Sequence, residues 1–523
     1  MSMNVLKTLK YAVSVAAITV MIPASGMAQK PVGDTDLTLQ EAISKGILTN
    51  PEYGVVANDR RAVDEELNQA KALYLPSIDL EADTGFEHTD TPTIEDEDLL
   101  RARASLTLTQ MLFDGYSTKY EVERQRARVL STSSRVNEVA EFVALDITES
   151  FLDVLRQRDL LAISRANVQD HLRIMQTIED GASSGTVTDG DVAQAEARLS
   201  QARATESSVR QGLREAESRF RREVGDMPEK LIFPEVPRDS MNADVEDAVV
   251  KALAYSPTLD IFEADVEVAE AEYHATGSTL YPQVDLQVNG TLGEDVSGIE
   301  GTEERASALA VMTWNLYRGG ADRARQREFI YRHALAKESR AEAARQVEQD
   351  IRDTWAGVIA SNERAQQFLE QAQANEKVVQ VYLDQFTLDR RTLLDVLDSQ
   401  NELFVSRSAN VNELYTEIFG MYRLLALQGT LLDTLGLDAP READLDLAGT
   451  DHRPIGQYGR QNYMANSEPA PTQVKAESSS RWSNMFNDNQ PTPAAVDTGR
   501  TATASGSDSM DAPVQTQNDD QYN

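Results

Sequence analysis

Two aspartates, Asp395 and Asp398, stand three residues apart in the segment RRTLLDVLDSQNELF (Arg390 to Phe404). On a helix that spacing places both carboxylates on one face. Close carboxylates favour cations, repel anions and raise one another's pKa. A plainer role competes. Thr392-x-x-Asp395 has the spacing of a capping box, and Thr188-x-x-Asp191 repeats it. On sequence both readings stay open. Carboxylate pairs are common here only because the chain is acidic, so they do not argue for acid/base catalysis.

Nothing else converges on a reaction. There is no Walker A segment, no G-x-G-x-x-G after a strand and no H-E-x-x-H. The five histidines (His88, His171, His274, His333 and His452) are scattered without metal-ligand spacing. Cysteine is absent, which excludes disulfides, thiolate metal sites and a cysteine lipid anchor. No enzymatic activity, no cofactor and no metal are expected. A formal net charge of −36 argues against nucleic acid, and against charge-driven docking on anionic lipid.

The elements that position the aspartates begin after a secretory signal peptide. Lys7 and Lys10 form its basic start, Tyr11 to Ile22 its apolar stretch, and Gly26-Met27-Ala28 its small-residue cleavage site, so 1–28 is expected to be removed. About 12 apolar residues are too few for a membrane helix, and no later run approaches 18.

The remainder reads as one unit written twice. EAISKGILTNPE at Glu41 is matched by EDAVVKALAYSPT at Glu246, and LYLPSIDL at Leu73 by TLYPQVDL at Thr279; Pro51 and Pro76 fall on Pro257 and Pro282 at one offset, 206 residues. Farther along, LFDG (Leu112 to Gly115) falls on LYRG (Leu316 to Gly319), and Asp191-Val192 on Asp395-Val396. The first repeat is set at 29–230, with a barrel hairpin at 76–112 and a long helical hairpin at 114–225. The second is set at 231–437, with the same parts at 282–317 and 319–435. The polar segment 438–523 is too poor in large apolar residues to offset its ordering entropy and reads as a disordered tail.

Each repeat opens with a helical stretch, Leu37 to Leu73 and Ala243 to Leu280, and continues with two strands. Ile78, Leu80, Ala82 and Phe86 alternate with Asp79, Glu81, Asp83 and Glu87. Leu100, Ala102, Ala104, Leu106 and Leu108 alternate with Arg101, Arg103, Ser105, Thr107 and Thr109. This is the pattern of a membrane barrel strand, apolar to lipid and polar to the lumen, although a soluble half-buried sheet shares it. His88 to Asp98 reads as a polar loop. In the last strand, Arg305 to Trp314, either Ala310 and Met312 or Leu309 and Val311 could face outward. Long helices follow. Tyr116 to Asp180 has neither glycine nor proline, and Val122, Val129, Val136 and Val143 recur every seven residues. At about 1.5 Å per residue such a run is about 100 Å long.

Four strands cannot close a barrel, and an open edge in lipid leaves backbone groups unpaired. The chain must therefore share its barrel. Two copies give eight strands, whose interior side chains fill; three give twelve, with room for a channel. Three copies would also set Asp395 and Asp398 in rings.

LYLPSIDL/TLYPQVDL, the LFDG/LYRGG turns and RTLLDVLDSQNELF together resemble the TolC-type outer-membrane efflux proteins over roughly residues 37–437. The last segment looks most like the branch serving type I secretion, including export of large repeat-containing adhesins. The resemblance implies a mainly α fold with a membrane β-barrel part: a homotrimer whose 12-stranded barrel continues into a periplasmic α-barrel. It implies a passive outer-membrane duct working with a periplasmic adaptor (membrane fusion protein) and an inner-membrane ABC transporter. It further implies that Asp395 and Asp398 constrict the periplasmic entrance, that Arg391 helps hold it closed, and that Asp191 is the acidic tip residue of the first repeat. Phe386 departs from the tyrosine whose hydroxyl ties the closed state in better-known members, which puts that latch in doubt. Two other readings remain: the channel of a multidrug or metal efflux pump, which can be proton-driven, and a soluble periplasmic coiled-coil scaffold.

Overall fold

The computed structural model describes residues 36–92 and 94–444. The signal peptide 1–28 and most of the 438–523 tail lie outside the described residues.

Chain order begins α1 (Leu39–Thr49), α2 (Pro51–Ala72), β1 (Ser77–Thr91), β2 (Ile94–Phe113), α3 (Ser117–Ser184) and α4 (Asp189–Val224). The same order then recurs as α5 (Val245–Tyr255), α6 (Pro257–Ala275), β3 (Gln283–Glu294), β4 (Thr302–Thr313), α7 (Ala321–Thr387) and α8 (Leu393–Leu427), closed by a short α9 (Leu431–Thr434). The opening helical stretch of each half is two helices rather than one. Pro51 and Pro257 cause the break: a proline has no N–H for the preceding turn and forces the residue before it out of helical geometry. Asn50 and Ser256 are accordingly extended, and Asn50 caps α2 by accepting from the Glu52 N–H at 2.8 Å.

α3 and α7 run for 68 and 67 residues. Val122, Val129, Val136 and Val143 are all buried, so the seven-residue spacing marks a packing seam. α3 packs on α4, and α7 on α8. Three apolar clusters hold these rods together. The largest joins α1, the middle of α3, the end of α4, the end of α8 and α9 around Phe151, Phe220 and Tyr422. A second joins α5, α7 and α8 around Ile351 and Leu424. The third gathers the far ends of α3, α4, α7 and α8. Along α2, Val63, Leu67 and Ala70 cover Val122 and Val129 of α3. The corresponding stretch of α7 lacks such a cover: Ile330, Tyr331 and Leu335 are exposed.

The four strands form one antiparallel sheet in the order β1-β2-β3-β4. Its register separates two faces. Ile78, Leu108, Val288 and Ala308 lie in one row and Leu80, Leu106, Gly290 and Ala306 in the next, with Phe86 opposite Leu100. This face is open; Phe86 is 92% exposed. On the other face, Asp79, Thr107, Asn289 and Ser307 form a row. Asp83 there accepts from Arg101 at 2.8 Å and from Arg103 at 3.0 Å. The register also resolves β4: Met312 pairs with Val284 and Ala310 with Leu286, so both belong to the apolar face, whereas Leu309 and Val311 stand opposite Gln287 and Asp285.

The expected loop at His88 to Asp98 is instead a continuation of β1 and β2. His88 pairs with Asp98 and Thr89 with Glu97. Polar composition suggested a loop, but the ladder is made by backbone N–H and C=O groups, which every one of these residues carries except Pro92. Gly115 turns the chain from β2 into α3 with φ of +68°, and a Cβ there would lie 2.6 Å from the Ser278 carbonyl oxygen. Only glycine fits.

Candidate site at the helix tips

The turn from α3 to α4 and the turn from α7 to α8 are built alike. The first reverses through Gly185 at φ +78° and the second through Asp389 at φ +57°. Then the two capping boxes form. The Thr188 hydroxyl accepts from the Asp191 N–H at 3.3 Å, and the Asp191 carboxylate accepts from the Thr188 N–H at 3.2 Å and its hydroxyl at 2.7 Å. Thr392 and Asp395 repeat this at 3.3, 3.3 and 2.9 Å. Both aspartates thus satisfy free N–H groups and the positive end of a helix dipole.

Beneath the turns, Ile178, Ala195, Leu199, Leu393, Val396 and Leu397 are buried together, with Tyr382 and Phe386 packed half-buried against them. Phe386 serves here as apolar filling. Arg391 lies over the Tyr382 ring at 4.0 Å from its centroid, donates to Gln385 at 3.1 Å and comes within 3.8 Å of Asp395. Asp398 projects from α8 and accepts from Arg198 of α4 at 3.1 Å.

The tips therefore bring Arg391, Asp395, Asp398 and Phe386 onto one hairpin, with Asp191 on the neighbouring one. Among the described residues Asp191 makes no ion pair with Arg391. Arg198 and Tyr382 were missed in the sequence. Each carried a signal: Arg198 follows Asp191 by two helical turns, and Tyr382 precedes Phe386 by one. A third, His171, lies buried on α3 close enough to Arg198 to feel its charge. Among the described residues no group of His, Cys, Asp and Glu could hold a metal ion, and no helix is long and apolar enough to cross a membrane.

Long paired helices continuing into an antiparallel sheet with one apolar and one polar face are the parts of an outer-membrane channel architecture. The residue profile of the outer membrane efflux protein family matches residues 42–226 and 248–416, and the chain belongs to that family. The outer membrane efflux protein BepC of Brucella suis is 24% identical over 402 residues, covering 76% of this chain and 87% of that protein. The outer membrane protein TolC of Salmonella enteritidis is 22% identical over 463 residues, covering 84% and 93%. The crystal structure of the outer membrane protein VceC of Vibrio cholerae superposes with a TM-score of 0.65 at 16% identity, covering 77% of this chain and 97% of that one. The chain is accordingly an outer-membrane efflux channel protein reaching into the periplasm, not an enzyme. This displaces the soluble-scaffold reading.

Proposed function

We propose that three copies of this chain close a twelve-stranded barrel and form the passive exit duct of a tripartite type I secretion system. Substrate would be a protein, including large repeat adhesins, passed on by an inner-membrane ABC transporter and a periplasmic adaptor. The observation that carries the duct is the sheet. β1 and β4 each have one unpaired edge, and the apolar face has no cover. In lipid each unpaired backbone group costs several kcal/mol, so the edges must meet those of other copies. Uncovered Ile330, Tyr331 and Leu335 on α7 offer a matching contact between helices.

At the tips, Asp395 and Asp398 would ring the entrance, with Arg391 holding it closed and Asp191 on the adjacent hairpin. Phe386 lacks the hydroxyl of the usual latch. The secretion branch is favoured by the RTLLDVLDSQNELF segment. Pump-driven efflux of small molecules or metals is the second reading, supported by the likeness to an efflux protein of Brucella suis. Sizing in detergent tests the assembly: a trimer dissociated by Leu335→Glu is expected, and a monomeric wild-type protein ends the proposal. Deleting the chain tests the cargo: loss of a secreted protein at unchanged drug and metal tolerance supports secretion, and the converse supports efflux.

A further inference from the structure

The α3, α4 and α8 tips are joined by polar bridges around one buried histidine. Arg198 of α4 donates to Asp398 of α8 at 3.1 Å. Gln400, buried on α8, donates to Asp170 of α3 at 2.8 Å. His171, next to Asp170, is 6% exposed, and its Nδ1 has no hydrogen-bond partner. A ring so placed is costly to protonate. Burial is the main cause that holds its pKa below the ordinary value of 6.5; Arg198 lowers it further and Asp170 opposes both. Asp170, on the same helix, is already engaged by Arg173 and Gln400. The charges that act on the ring are thus Asp170 from α3 and Arg198 from α4, while Asp398 from α8 is tied up by Arg198.

We propose that His171 is the acid sensor of a clasp between α4 and α8: its protonation sets a second cation against Arg198, loosens the Arg198–Asp398 bridge and lets the tips part. This rests on reading the tips as the duct entrance. The sign follows from linkage. The packed tip binds the proton less readily than a parted tip does. Above the ordinary histidine value the clasp is indifferent to pH, and it weakens as pH falls through that value.

Hydrogen exchange of the full-length protein in detergent tests this, read on peptides spanning 189–202 and 393–404 at neutral and mildly acid pH and corrected for intrinsic rates. In the wild type, acid should speed exchange of both peptides by about threefold or more, because the parted tip takes up the proton more readily than the packed one. His171→Gln should exchange at the wild-type neutral rate and show no acid increase. Arg198→Gln, which keeps the ring but removes the bridge, should exchange fast at both values. An acid increase that survives in His171→Gln overturns the proposal, as does a wild type without one. Conductance in planar bilayers separates the underlying reading. Protein that forms no channel yet keeps the acid response removes the duct and keeps the clasp; protein that conducts without that response does the reverse.

Discussion

Arg391 and Tyr382 face each other across the α7–α8 turn, the guanidinium 4.0 Å from the ring centroid. This contact lies one helical turn from Phe386 and needs no hydroxyl. It can therefore stiffen the tip without the hydroxyl that Phe386 lacks. A half-exposed cation–π contact contributes about 0.5–1 kcal/mol. Tyr382→Leu should then raise the open fraction in planar bilayers about twofold to fivefold, with Tyr382→Phe close to wild type. Equal opening in wild type and Tyr382→Leu removes the contact from the gate.

Asp395 both caps α8 and presents a carboxylate, and variants can divide these roles. Thr392→Ala removes the cap and should cost about 1 kcal/mol in local stability, seen as faster hydrogen exchange over 392–398. Asp395→Ala combined with Asp398→Ala should in addition weaken cation block of the pore. If Thr392→Ala alone reproduces the loss of block, the carboxylates act only through helix structure.

Asp83 accepts from two arginines on the polar face of the sheet. Asp83→Asn should leave Arg101 and Arg103 with surplus positive charge in the lumen. The reversal potential across a salt gradient should move toward anion preference. An unchanged reversal potential would mean that this face does not line the path.

Glu141 of α3 is buried and accepts from the Leu431 and Leu432 N–H groups at 3.0 and 3.3 Å, tying the end of the second half to the first. Burial pushes its pKa up to about 7, against the lowering effect of those bonds, and Asp433 adds to the rise. The folded state holds this proton more tightly than the unfolded chain does. Stability therefore falls as pH rises from about 4.5 through about 7 and is level above. Glu141→Gln should flatten part of that fall, by up to about 3 kcal/mol per chain. Asp146, raised to about 6 chiefly by burial, contributes with the same sign and should remain. Thermal midpoints across this pH range measure it; an undiminished slope in Glu141→Gln contradicts the assignment.

Much of this architecture could be read from spacing. Period-two alternation at Ile78 to Glu87 located the sheet faces, and the heptad valines located the α3 seam, because both patterns are direct projections of backbone geometry. The helix breaks at Asn50 and Ser256 were equally written in the prolines, but composition on either side concealed them. β4 stayed ambiguous because its alanines and leucines fit either face, and only pairing with β3 decides. At the tips, the capping boxes were visible as local motifs. The Arg198–Asp398 bridge joins residues 200 apart, and nothing local announces such a partner. His171 looked like any other histidine until burial set it apart.

The unequal hairpins give the outer rim a definite outline. β2 runs eight residues, 94–101, past the last one paired with β3, Ala102 opposite Glu294. At about 3.3 Å per residue and a tilt near 40° in a closed barrel, that is about 20 Å of extra height. In the proposed trimer the mouth would be a crown of three tall ribbons separated by three low gaps. Cargo leaving the pore could escape sideways through the notches, and anything approaching from outside would first meet the three crests.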